Sequence, residues 1–443
     1  MAQVSVKQGL LQGVEKDGYD VYYGIPYAKA PVGALRWHAP VPPEPWDGLR
    51  SAAEFPNRSM QETDRKDPFY GKEFYDEDRY QTPVSEDSLY LNVWTPSGSA
   101  GDRLPVAFYI HGGAFMGGFG HEKEFDGAAH CRRGVILVTV NYRLGPWGFL
   151  AHPWLSAERA AEGGPAVSGN YGILDQIAAL RWVRENIAAF GGDPENITVF
   201  GQSAGGMSVQ TLLSSPLTEG MFSRAILQSC VGLSYDHPLA RAEAEGLRFA
   251  ENAGVHSLEE MRLLTPEQVH AAAAPIIMEG FPKMELPYTP VIDGYLLTTG
   301  YDAAMREGRT HAVPTVVGST KNDIATDAEA VARGELGKVY AGSMAWAEAQ
   351  AALGRNAYLY YFTRQLPGDD AGAFHSSELW YTFGTLGRCW RPLTEADLRL
   401  SEQMLDYWTA FMKTGAPNGP GLAVWPVYQK PGDMMTFDIA GND

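Results

Sequence analysis

Three cysteines, Cys131, Cys230 and Cys389, are all that a chain of 443 residues contains. So sparse and odd a set cannot build a disulfide framework, and no two stand at the spacing of metal ligands. Long apolar runs are also missing. The longest, such as Val135 to Val140, are strand-length and far below the roughly 18 residues of a membrane span. Positive charge is scarce, with 35 lysines and arginines against 53 aspartates and glutamates and a formal net charge of −18. That balance speaks against a partner in nucleic acid or an anionic membrane, because both require clustered cations, and it mildly disfavours anionic substrates. Met1 to Val21 has no apolar core of signal-peptide length, so the expected compartment is the reducing cytoplasm. The sequons at Asn57 and Asn196 then read as chance matches. Oligomeric state has no signature in the sequence.

What is present is ample material for a core, 45% hydrophobic and 12% aromatic, which excludes a disordered chain. Length alone suggests about three domains, at about 150 residues each, but large α/β sheets often run as one. Without internal repeats or low-complexity linkers, residues 1–443 are expected to form a single domain. Short apolar runs alternate with helical stretches, the pattern of a mostly parallel sheet wrapped by helices. Expected strands are Val106 to Ile110, Val135 to Val140, Ile197 to Phe200, Ala225 to Gln228, Pro314 to Val317 and Tyr358 to Thr363. Apolar spacing predicts helices over Leu174 to Phe190 and Leu398 to Met412. Phe55 to Pro83 is charged and aromatic. It reads as a long surface loop pinned by its rings, or as a flap over a pocket mouth.

The sharpest local signal is Gly201-Gln202-Ser203-Ala204-Gly205-Gly206, directly after the strand Ile197 to Phe200. A nucleophilic serine needs a sharp strand-to-helix turn that projects its hydroxyl, and only small neighbours two positions away let strand and helix pass so closely. The helix beginning at Ala204 would aim its N-terminal dipole at the reacting oxygen. His111-Gly112-Gly113-Ala114-Phe115 follows another expected strand. Small residues there let backbone N–H groups reach a developing oxyanion at about 3 Å, so the donors are assigned to Gly113, Ala114 and Ala204. On this kind of turn the chain order is serine, acid, histidine. Of ten histidines only His375 follows the strongest acid candidate, Asp323, which lies in the loop after Pro314 to Val317. Asp327, four residues on, is its rival. His375 is therefore the candidate base and Ser203 the nucleophile. Phe115, Met116 and Gln202, with the rings of Phe55 to Pro83, are candidates to touch substrate; such walls suit aryl or short-to-medium acyl groups.

Several further blocks occur in order along nearly the whole chain. They include Gly24-Ile25-Pro26-Tyr27-Ala28, Ser85-Glu86-Asp87-Ser88-Leu89-Tyr90-Leu91-Asn92-Val93-Trp94, Asn141-Tyr142-Arg143, Pro290-Val291-Ile292-Asp293-Gly294 and Trp425-Pro426. Together with the serine and glycine motifs they resemble the type-B carboxylesterase family, the cholinesterase-like branch of the α/β hydrolases, in its bacterial para-nitrobenzyl-esterase-like form. The resemblance implies an α/β-hydrolase fold, a mostly parallel twisted sheet flanked by helices. It implies a serine esterase that cleaves small-molecule carboxylic esters through an acyl-enzyme, with no metal or organic cofactor. The family's acid is usually glutamate, and the matching position here is Asp323. Ser229 matches a buried serine near the histidine, and Cys230 stands where glycine is usual. Ser88 stands where disulfide-bearing relatives have cysteine. Arg36 with Glu86, and Arg143 with Asp175, match two buried ion pairs. Only 51 residues, 324–374, separate Asp323 from His375, which implies a shortened cap and a reduced lid. The same triad chemistry also serves amide, carbamate or lactone hydrolysis, and relatives of this fold that have lost the nucleophile are non-catalytic binding modules.

Overall fold

The computed structural model describes residues 2–63, 67–233, 236–280, 285–324, 326–327, 329, 333 and 335–439. Among the described residues ten strands share one sheet: β1 (Val14–Glu15), β2 (Tyr19–Pro26), β3 (Tyr90–Pro96), β4 (Leu104–Ile110), β5 (Ile136–Val140), β6 (Gly192–Gln202), β7 (Arg224–Gln228), β8 (Thr315–Thr320), β9 (Ala357–Phe362) and β10 (Met434–Phe437). Across the sheet they lie in the order β10-β9-β8-β7-β6-β4-β5-β3-β2-β1. Strands β4 to β10 pair in parallel, and β1 to β3 form an antiparallel edge. The six expected strands are all present, displaced at their ends by a residue or a few. The largest change is in β6, which extends back to Gly192 through a register irregularity before Ile197.

Parallel strands covered on both faces read as continuous apolar runs, because successive side chains enter opposite cores. In β4, Val106, Phe108 and Ile110 pack into one core, while Ala107 and Tyr109 enter the other. The first core is covered by helices Tyr171–Asn186, Ala204–Ser214 and Lys338–Ala352, and the second by Glu395–Thr414. The expected helix to Phe190 tightens into a 3-10 turn, Ile187–Phe190, and ends at Gly191 with φ 87°. The late helix begins at a capping box of Thr394 and Asp397 and stops at Gly415, φ 82°. Among the described residues no helix is long and apolar enough to cross a membrane.

One segment differs from expectation. Phe55 to Pro83, apart from residues 64–66, which lie outside the described residues, is not loop throughout. It holds the short strand Arg58–Ser59, the helix Pro68–Phe74 and the turn Asp78–Tyr80, with Phe74 and Tyr80 buried. Its rings were available to pack inward, and packing ordered the backbone. Within 324–374, residues 325, 328, 330–332 and 334 lie outside the described residues. The remainder includes helix Lys338–Ala352 and strand β9, which build the sheet and its cover.

Candidate active site

Ser203 sits between β6 and helix Ala204–Ser214 with φ 57° and ψ −126°, a conformation that costs on the order of 1–3 kcal/mol outside glycine. The neighbouring glycines make this turn possible. A Cβ on Gly205 would lie 2.0 Å from the Ile110 carbonyl oxygen, and one on Gly201 would lie 2.4 Å from the Gly205 carbonyl carbon. Gly113, φ 98°, would strike the Gly117 carbonyl oxygen at 2.0 Å. Among the described residues, the N–H groups of Gly113, Ala114 and Ala204 donate to no protein acceptor. Gly112, Gly113 and Ala114 line one cavity of about 650 Å³ together with Ser203, Gln202 and His375.

Asp323 and His375 arrive from different strands. The chain after β8 pairs with the loop that carries His375: Asn322 N–H donates to the Ala373 carbonyl at 2.9 Å, and Ala373 N–H to Asn322 Oδ1 at 3.0 Å. This clasp holds His375 Nδ1 2.6 Å from Asp323 Oδ1, with both side chains nearly excluded from solvent. Asp323 also accepts from the N–H groups of Ile324 at 2.8 Å and Thr320 at 3.2 Å. Burial by itself would raise its pKa, but the His375 charge and hydrogen bond, with help from Ser229, hold it below the usual aspartate value. Asp327 is exposed and caps the N–H of Glu329 at 2.9 Å, away from this contact.

With Nδ1 donating to Asp323, the ring presents Nε2 as an acceptor. That nitrogen lies 3.1 Å from the Gln202 side-chain amide, and among the described residues no hydrogen bond joins it to Ser203. Ser229, φ 51°, points its hydroxyl toward Glu378 Oε1 at 3.5 Å and contributes a hydrogen bond to Asp323 as well. Glu378 is fully buried three residues after His375, and burial, then the Asp323 charge, push its carboxyl up to about 7.

A family model described as the carboxylesterase family matches residues 1–340 and 336–442. The chain belongs to the carboxylesterase family. The fumonisin B1 esterase of Sphingopyxis macrogoltabida is 34% identical over 485 residues, covering 97% of this chain and 85% of that protein. The para-nitrobenzyl esterase of Bacillus subtilis (strain 168) is 33% identical over 474 residues, covering 96% of this chain and 92% of that one. Among solved structures, a thermophilic pNB esterase superposes with a TM-score of 0.85 at 32% identity, over 98% of this chain and 96% of its own. The carboxylesterase therefore has the α/β-hydrolase fold, and it is a carboxylic ester hydrolase of the serine type acting on small-molecule esters.

Not every candidate reaches the cavity of this carboxylesterase. Phe115 is fully buried against Phe149 at 5.1 Å between ring centroids, because the left-handed backbone of Ala114 and Phe115 turns the ring beneath the loop. Met116 packs its thioether toward Gly145 instead. The apolar wall comes from Tyr70, Phe74, Tyr75, Phe125 and Leu379. The two ion pairs lie away from the chemistry. Arg36 Nε meets Glu86 at 2.7 Å, and Arg143 grips fully buried Asp175 through Nε at 2.8 Å and a terminal nitrogen at 2.7 Å. Cys230 is buried with its thiol pushed up by desolvation, and its side chain stands 2.8 Å from where a Cβ on Gly206 would be. Glu378 escaped sequence reasoning, although its place in His375-Ser376-Ser377-Glu378 was the available signal.

Proposed function

We propose that Ser203, His375 and Asp323 form the catalytic triad and that the N–H groups of Gly113, Ala114 and Ala204 bind the oxyanion. The observation that carries this reading is the buried 2.6 Å contact between His375 Nδ1 and Asp323, on the cavity that also holds Ser203. Rotation of the Ser203 side chain brings Oγ to Nε2 and displaces the Gln202 amide; catalytic hydrogen bonds often close only when substrate is bound. Oγ attacks the ester carbonyl carbon as His375 takes its proton. Asp323 holds the ring in the required tautomer and stabilises its charged form. The tetrahedral intermediate collapses, the alcohol leaves with the proton from His375, and the acyl group stays on Ser203. Water, deprotonated by His375, then attacks the acyl-enzyme and releases the acid.

The chain is proposed to act as one catalytic domain, since strands drawn from Val14 to Phe437 share a single sheet. A shortened cap is supported by the 485 aligned positions with the fumonisin B1 esterase against 443 residues here, which requires insertions in that relative. A cytoplasmic location is supported by free Cys131, Cys230 and Cys389.

The test is Ser203→Ala assayed with p-nitrophenyl butyrate. Loss of at least about 10³-fold in kcat is expected, since binding and the oxyanion donors alone retain only residual catalysis. Turnover at the wild-type level would refute the assignment.

A further inference from the structure

The chain that leaves the oxyanion loop returns to the same cavity at Glu122 and Glu124, and neither carboxylate has a part in the triad chemistry. Glu122 accepts from the Tyr75 hydroxyl at 3.1 Å and the Phe119 N–H at 3.0 Å. Glu124 is almost wholly buried, and among the described residues its Oε2 has no hydrogen-bond partner. A second orphan lies on the same wall. The Tyr109 hydroxyl is fully buried and likewise unpartnered among the described residues, its ring fixed edge-on by Phe125 at 4.7 Å and Phe383 at 4.9 Å. Buried polar atoms left without partners are costly and mark places where a ligand or ordered water completes the structure.

Charge decides what kind of ligand. Burial, then the charge of Glu122, raise the Glu124 carboxyl well above the glutamate range, and a cation brought against the two carboxylates would relieve that repulsion. Lys123, between them in sequence, turns away to pair with Asp76 and lies 5.6 Å over the Trp380 ring. Among the described residues lining the cavity there is no lysine or arginine, whereas Glu62 and Asp67 also face it. A neutral hydroxyl would satisfy one orphan. An ammonium supplies three donors and brings the opposite charge, and Tyr75 and Phe125 line the same cavity.

We propose that Glu122, Glu124 and Tyr109 form a subsite for a primary ammonium group of the substrate, so that the esterase selects amine-bearing esters over their neutral isosteres. This rests on the active-site reading above. Two isosteric pairs test it: p-nitrophenyl 6-aminohexanoate against p-nitrophenyl heptanoate, and 5-aminopentyl butyrate against hexyl butyrate. The ammonium member of at least one pair is expected to have a kcat/KM about tenfold higher, the size of one charge-assisted hydrogen bond. Glu124→Gln is expected to bring that ratio to about one, and Tyr109→Phe to reduce it. A readout independent of turnover is the thermal shift by hexylammonium in Ser203→Ala, expected to exceed that by 1-hexanol and to vanish when Glu124→Gln is added. No ammonium preference in either pair, a preference that survives Glu124→Gln, or equal shifts by hexylammonium and hexanol would overturn the subsite. Failure to cleave the neutral esters, with the hexylammonium shift intact, would instead count against the triad assignment and leave the subsite standing.

Discussion

His375 must be neutral to take a proton, and its surroundings work against that. Burial favours the neutral ring, but the Asp323 charge and hydrogen bond, with a smaller push from Glu378, outweigh it, so the pKa is raised above 6.5. The sign follows directly: as pH falls through the raised value the ring is protonated and its Nε2 lone pair is lost. The acid limb of kcat/KM is therefore expected above pH 6.5, falling about tenfold per pH unit below it. Asp323→Asn removes the attraction and leaves burial dominant, so the limb should move to lower pH while kcat drops by about 10³–10⁴-fold. A pH–rate series on both proteins checks this, and a limb that stays in place would contradict the pairing. Ser203 was legible from its own neighbours, because its constraint is steric and local. Phe115 was not, because the left-handed backbone that turns it inward has no mark in an alanine–phenylalanine pair.

Among elements, the helix Pro68–Phe74 is the one whose fastening can be tested. Its N-cap Asp67 accepts from the N–H groups of Phe69 and Tyr70, and the Tyr70 hydroxyl donates to the His375 carbonyl at 3.4 Å. Glu73 anchors it from beneath. The carboxylate takes Arg391 Nε at 3.0 Å, Trp380 Nε1 at 2.9 Å and Trp390 Nε1 at 2.8 Å, with Glu73 and Arg391 both excluded from solvent. Removing one partner of a buried pair strands the other's charge, so Glu73→Ala is expected to cost about 3 kcal/mol. Denaturant unfolding reads the loss. Hydrogen exchange should quicken over residues 68–75 before it does in β6, and unchanged exchange there would show that the helix is held by its rings alone. The sheet strands were legible because both their faces are buried, which concentrates apolar residues into unbroken runs. This helix was not, since four of its seven residues are aromatic or proline and the tertiary anchor is what holds it.

At the scale of the whole molecule, one sheet gathers a serine, an acid and a histidine from the ends of β6, β8 and the loop after β9. Between the acid and the histidine, helix Lys338–Ala352 and β9 belong to the sheet and its cover, and the shortened cap proposed above leaves less chain for a roof. Esters of bulky alcohols should consequently be tolerated. In a panel with a fixed acyl group, kcat/KM for tertiary or polycyclic alcohol esters is expected within about tenfold of the ethyl ester, about 1.4 kcal/mol of discrimination. Rejection by several orders of magnitude would mean that the mouth is narrow.

The sequence by itself determined the strand order of chemistry along the chain, the strained turn at Ser203 and the glycines around it, because these depend on which atoms fit within a few bonds. Only the tertiary structure set Asp323, and not Asp327, against His375, placed the Gln202 amide at its other nitrogen, buried Phe115, and brought Tyr109, Glu122 and Glu124 to one wall. Those outcomes depend on which distant side chains meet in a space that water has left, where an unpaired charge or hydroxyl has no other partner.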